Sequence, residues 1–207
     1  MTNWAQAERD VVVTALRDLG PDAPTACEGW ATQEMAAHLY IRERRPDAAP
    51  GVILPGPFAR YAERTMDTVL RVHSYDEIVD KIASGPPLLL RPTDAMINLF
   101  EFFVHAEDIR RPNGGAPREL AAEQEQAMWR RLRASLRPMF RRAKGIRVEM
   151  TTPSGDRAAT GGGPTVELHA PVGELVLYAF NRKHIAQVKV TGDDAAAGRL
   201  AQAQLGP

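Results

Sequence analysis

Cysteine is almost missing from this chain: Cys27 stands alone among 207 residues. That excludes an intrachain disulfide and a zinc cluster built from cysteines, and it fits a reducing cytoplasmic setting. Net charge is missing too. Lys and Arg number 26 and so do Asp and Glu. The balance gives no overall electrostatic case for nucleic acid or an anionic membrane as partner. No apolar run approaches membrane length, the start MTNWAQAERD lacks the charged-then-apolar pattern of a secretory leader, and no internal repeat is visible. The arginine-rich run MWRRLRASLRPMFRRAK reads as a solvated helix face. What remains, 44% hydrophobic and 25% charged, suits one or two globular domains with a real core.

The chain is organised around DAMINLFEFFVHAEDIRR, residues 94–111. It is apolar and lacks internal Pro or Gly, with Thr93 placed as N-cap and Pro112 as stop, so the spacing predicts a helix. Asp94, Asn98, Glu101, His105 and Asp108 recur every three or four residues, which at about 100° per residue gathers them into one stripe. Ile97 and Val104 flank it on one side, Phe102 and Ile109 on the other. A polar stripe inside an apolar face is costly unless its groups are paired or bind a cation. Glu101 and His105, at i and i+4, can reach one ion together.

Before this helix the pattern predicts helices at 2–19, from Thr32 as N-cap through RERR, at 58–73 with Phe58, Tyr61, Met66, Val69 and Leu70, and at 75–84. Residues 46–57, with four prolines and two glycines, form a long irregular loop, and GPPLLLRP is an extended connector. A long amphipathic helix follows from about 118 to 143, kinked or interrupted at Pro138. At Gly145 the character changes. GIRVEMTT, TVELHA and IAQVKVTG alternate as strands, SGDRAATGGGP reads as a turn-rich connection, and PVGELVLYAFNR and DDAAAGRLAQAQL read as helices. The expected architecture is therefore α+β, an up-down helical bundle over residues 1–144 followed by a small α+β lobe over residues 145–207.

Of five histidines, His38 and His105 sit mid-helix in apolar settings. His73 suits a helix end, and His169 and His184 suit the surface. His38, Glu101 and His105 offer two imidazoles and a carboxylate, the usual protein complement of a catalytic zinc site with an open position, and a set that also suits Fe(II) or Ni(II). Asn98 and Asp108 are candidates to orient them, and Glu34 is a rival ligand. The competing reading is a buried polar network with no metal.

CEGWATQEMAAHL resembles the C-x-G-W…H-L segment of the mycothiol-dependent maleylpyruvate isomerase-like proteins, which belong to the wider DinB-like helical-bundle superfamily. FEFFVHAEDIRR is similar to the family's second segment, where a Glu and a His four residues on complete the metal site. PVGELVLYAFNRKHIAQVKVTGD resembles its sterol-carrier-like lobe. The resemblance implies a DinB-like four-helix bundle, a divalent metal, usually zinc, on His38, Glu101 and His105, mycothiol as cosubstrate, and an assisting arginine, best matched by Arg182. It implies thiol addition to a small electrophile, as S-transfer or isomerisation. Glu28 stands where the family usually has Pro, and RERRPDAAPG resembles a subgroup without an assigned reaction, so isomerase activity itself is not carried over. Arg42 and Arg45, on the helix of His38, are candidates for the cosubstrate's polar groups, beside a role in simple solvation. Cys27 reads as structural or as a neighbour of the bound thiol. The alternative function is a metal-binding protein without turnover, for storage, sensing or docking. Oligomeric state is left open by the sequence.

Overall fold

The computed structural model describes residues 3–45, 47–48, 56–87 and 91–206, with side chains for the last range from residue 98 onward. Most of the irregular loop expected at 46–57, and residues 88–90 of the expected connector GPPLLLRP, thus fall outside the described residues, as do the side chains of Asp94 and Ile97. Contacts divide the chain into two compact units, Met1–Ala116 and Pro117–Pro207.

The first unit is helical: α1 (Trp4–Leu19), α2 (Thr32–Arg44), α3 (Pro57–Val72), α4 (Tyr75–Ala83) and α5 (Arg91–Arg110), then a 3-10 turn, Arg111–Asn113. Asn3 caps α1 by accepting from the Gln6 N–H at 3.3 Å, and Gly20 closes it with φ +73°, a left-handed setting that suits glycine. Ser74 and Glu77 form a reciprocal capping box at α4. Along α5, Phe102, Val104 and Ile109 are buried as the stripe pattern requires. Phe102 and Ile109 join Val12, Leu16, Met35, Leu39, Ile41, Ile78 and Ile82 in one core.

Three expectations for these helices are corrected by the structure. Helix α5 starts at Arg91, so Thr93 lies inside it and Pro92 in its first turn, where a missing N–H costs nothing. Thr32 is not the N-cap of α2: Ala31 is, and the Thr32 hydroxyl instead donates to the Gly20 carbonyl, tying the loop to the end of α1. Phe58 and Tyr61 are exposed, not core, because they lie in the first turns of α3, before its buried residues begin at Ala62 and run on through Met66 and Val69.

The second unit holds α6 (Ala122–Met139), β1 (Arg147–Thr151), β2 (Arg157–Gly161), β3 (Thr165–His169), α7 (Val172–Ala179), β4 (Lys189–Gly192) and α8 (Asp194–Gln202). Helix α6 ends one residue after Pro138, which has no N–H to continue the ladder. Patterning alone groups α6 with the helices before it, on the bundle side of residue 144. In the structure it packs with α7 and β2 and so falls in the unit of the sheet. The sheet order is β2-β1-β3-β4, with β1 and β3 parallel and both edges antiparallel. Val148, Met150, Val166 and Leu168 alternate onto its buried face. Strand β2 lies where the sequence predicts only a turn-rich connection. Its sequence RAATG has no apolar alternation, because as an edge strand it is half exposed, and pairing with β1 alone makes it a strand. Gly161 ends it at φ +79°, where a Cβ would stand 2.1 Å from the Ile146 carbonyl oxygen. The architecture is α+β: a mostly helical N-terminal region, then a four-stranded mixed sheet with helices.

Candidate metal centre

From Asn98 onward the polar stripe of α5 is largely buried. Asn98, His105 and Asp108 are each at most 6% exposed, and the Glu101 side chain keeps 23% of its surface. Helix α2 brings His38 against it, with the two imidazole centroids 4.9 Å apart and the rings nearly perpendicular. Ligand atoms of His38, Glu101 and His105 all lie within 4.8 Å of one another. His105 Nε2 is 3.6 Å from Glu101 Oε2, and His105 Nδ1 is 3.0 Å from Asp108 Oδ2.

The CEGW loop supports both rings. The Ala26 N–H donates to the Asp108 carbonyl at 2.7 Å, fixing the loop on α5. Trp30 leans on the His38 ring, centroids 5.1 Å apart, and the Cys27 thiol reaches Asp108 Oδ2 at 3.5 Å. Cys27, His105 and Asp108 thus form a second group of ligand atoms within 4.8 Å, sharing His105 with the first.

Arg42 stands at the partly exposed side of the stripe. Its Nε is 3.3 Å from Glu101 Oε2 and its Nη1 donates to Asn98 Oδ1. Burial pushes the Glu101 carboxyl up, but the bond to His105 and the Arg42 charge outweigh it and hold the group down at about 2. Burial also disfavours a charged His105. The Asp108 and Glu101 carboxylates more than offset this, so the ring sits above its ordinary value.

The other sequence candidates have plainer surroundings. Glu34 Oε2 accepts from the Ala31 N–H at 2.9 Å and so serves the start of α2. Arg45 grips exposed Asp47 through two bonds of 2.9 and 2.7 Å, and Tyr61 donates to the same carboxylate at 2.6 Å. The Arg45 and Tyr61 bonds hold the Asp47 carboxyl well below the usual range. Arg182 lies in the second unit, just after α7, with Nη1 donating to the Phe180 carbonyl at 3.2 Å. His73 closes α3 and stacks near Tyr40, His169 pairs with Glu167 at 3.0 Å, and His184 is exposed.

Sequence reasoning misses Arg9 and Glu43. Fully buried Arg9 donates to Glu43 at 2.6 Å and stacks on the Phe102 ring at 4.3 Å, and Glu43 accepts from Asn98 at 3.3 Å. The chain Arg9–Glu43–Asn98–Arg42 therefore backs Glu101 from inside the core. A signal exists: Arg9 sits at helical spacing with Ala5, Val12 and Leu16 on the buried face of α1.

With fold and geometry in view, two solved structures prove comparable. The fold is similar to that of mycothiol-dependent maleylpyruvate isomerase. A crystal structure of that enzyme matches with TM-score 0.54 at 14% identity, and one of its histidine-to-alanine mutant with TM-score 0.58 at 16% identity. Each match covers 91% of this chain and 90% of the isomerase chain. At such identity the likeness to the isomerase is one of fold. No protein-family model matches the chain, and no curated protein does. Among the described residues no helix is long and apolar enough to cross a membrane.

Proposed function

We propose that His38, Glu101 and His105 hold a divalent metal, zinc by the chemistry of the donors, and that the site activates a small thiol, mycothiol, for S-transfer to or isomerisation of a small electrophile. The carrying observation is the spacing of the donors. Two ligands 2.0–2.1 Å from one tetrahedral zinc stand about 3.4 Å apart. His105 Nε2 and Glu101 Oε2 are 3.6 Å apart, and His38 is close enough to complete a three-donor set. Three protein donors leave a position for a fourth, exogenous ligand. The partial exposure of Glu101 and Arg42 supports access from solvent.

A bound divalent metal lowers the pKa of a coordinating thiol, so that a thiolate nucleophile is present at neutral pH. The chain's own residues supply the rest. Arg42 offers a cation beside Glu101 for an anionic group of the cosubstrate or electrophile. Arg45 presents a second guanidinium farther along α2, already oriented by Asp47. Arg182 is assigned the role of assisting the reacting group, on resemblance. On the same resemblance, α1, α2, α3 and α5 form a DinB-like up-down four-helix bundle, followed by a sterol-carrier-like lobe.

A second reading, a metal-binding protein without turnover, draws on Cys27, whose sulfur lies within 4.8 Å of a His105 ligand atom. A cysteine closing the fourth position would make the site structural. Cobalt substitution separates the two. Turnover predicts a sulfur-to-cobalt charge-transfer band that appears only when mycothiol is added. A band present without added thiol, and lost in Cys27→Ala, supports the closed site. No cobalt binding at all overturns both.

A further inference from the structure

Asp108 is fully enclosed, yet it stands outside the three proposed metal donors. Its Oδ2 meets two neighbours, His105 Nδ1 at 3.0 Å and Cys27 Sγ at 3.5 Å. An ionised carboxylate can only accept hydrogen bonds, and burying one is costly unless its oxygens are so satisfied. Both neighbours must therefore present hydrogen to it. When the His105 ring is neutral, its single hydrogen then sits on Nδ1, and the Nε2 lone pair faces Glu101 and His38. The opposite tautomer sets the Nδ1 lone pair against the Asp108 lone pairs and aims an N–H at the place a cation would take.

We infer that Asp108 is the positioning residue of the metal centre, fixing His105 in the Nδ1–H tautomer, with the Cys27 thiol as a second donor on the same oxygen. The inference rests on the metal reading given above. It also decides between the two groups of ligand atoms that share His105. With Nδ1 protonated toward Asp108, the lone pair left on His105 is that of Nε2, which lies 3.6 Å from Glu101 Oε2 in the first group. Cys27 is thus a supporting donor. The loop is built to deliver it: the Cys27 N–H donates to Thr25 Oγ1 at 3.2 Å, and that hydroxyl donates to the Trp30 carbonyl at 2.8 Å, closing the loop on itself. One loop thereby steadies His38 through Trp30 and His105 through Cys27 and Asp108.

The test combines two readouts. Proton–nitrogen NMR on metal-free, histidine-labelled protein, at a pH where the rings are neutral, reports the His105 tautomer. Competition with a chromophoric chelator reports zinc affinity. Wild type should show Nδ1–H at His105. Asp108→Asn should lose that uniform tautomer and bind zinc about 10–100-fold more weakly, the usual cost of losing an outer partner of a metal-bound histidine. Cys27→Ser, whose hydroxyl still donates, should keep wild-type affinity, and Cys27→Ala should lose a smaller part of it. An Nε2–H tautomer in wild type, or wild-type tautomer and affinity in Asp108→Asn, overturns the inference. Should Asp108→Asn fail to fold, the wild-type tautomer and the Cys27 pair still decide it: equal affinity in Cys27→Ser and Cys27→Ala removes Cys27 from the arrangement. An Nδ1–H tautomer that depends on Asp108, in a protein that binds no zinc, overturns the metal reading and leaves the positioning of His105 standing.

Discussion

Helix α5 carries two acids less than two turns apart, Glu101 and Glu107, in opposite circumstances. Glu107 is fully buried and bound by Arg110 at 2.8 Å and by Arg111, three and four residues on. Arg110 ends its own helix and Arg111 opens the turn that follows, and both are always charged. Glu101 faces His105 on its own helix, Arg42 and His38 from α2, and solvent over part of its surface. Imidazoles can give up a proton and offer a lone pair, which a guanidinium cannot. The comparison teaches that burial of an acid says little about function. The kind of partner says more.

The sharpest way to break this contrast is to remove each acid. Glu107→Ala leaves two arginines without their buried partner and should cost on the order of 3 kcal/mol in urea denaturation, with metal content unchanged. Loss of metal with stability intact would reverse the assignment of the two acids. Glu101→Ala should do the opposite, losing metal while costing the metal-free protein no more than about 1 kcal/mol, since its salt bridge is partly exposed.

How far this contrast is legible in the sequence varies by residue. The stripe on α5 can be read because polar groups spaced three and four apart within an apolar run share one helix face, and burying that face demands partners for them. His38 can be read because a histidine between small apolar residues mid-helix is out of place on a surface. The Arg9–Glu43 pair spans 34 positions, and spacing along the chain says nothing about which helices will face each other. Cys27 shows in the sequence only as a loop residue, since its contact with Asp108 spans 81 positions. In the second unit, β1 and β3 show their alternation because one face is buried. Strand β2 is hidden because an edge strand of Ala and Thr buries little. Helix α6 is misplaced by its pattern because amphipathicity shows that a face is buried but not by what.

A smaller effect sharpens the comparison through pH. In the metal-free protein the His105 pKa is raised above the ordinary 6.5, so its contribution to stability is present below that value and lost as pH rises through the folded value. Glu101 is lowered from 4.5 to about 2, so its contribution is present above 4.5 and lost as pH falls toward 2. Metal-free stability should therefore fall on both sides of a plateau between about 4.5 and 6.5. Zinc binding needs a deprotonated His105, so the extra stability conferred by zinc should grow as pH rises. Thermal melts with and without zinc across pH check this, and a zinc increment that does not vary with pH would remove His105 from the ligand set. The smallest effect concerns Arg42. Arg42→Ala should keep metal and fold and weaken cosubstrate binding by about tenfold, the loss of one charge-assisted contact. Unchanged binding of mycothiol, measured by titration calorimetry, would leave Arg42 a partner of Glu101 alone.

The central claim is that α2 and α5 together hold one divalent metal. Metal content of the purified protein, measured by inductively coupled plasma mass spectrometry beside a His38→Ala/His105→Ala double variant, tests it most directly. The account predicts about one equivalent of zinc in the wild type and none in the folded double variant. No metal in the wild type, even after zinc is supplied, would contradict it and leave the stripe as a buried polar network.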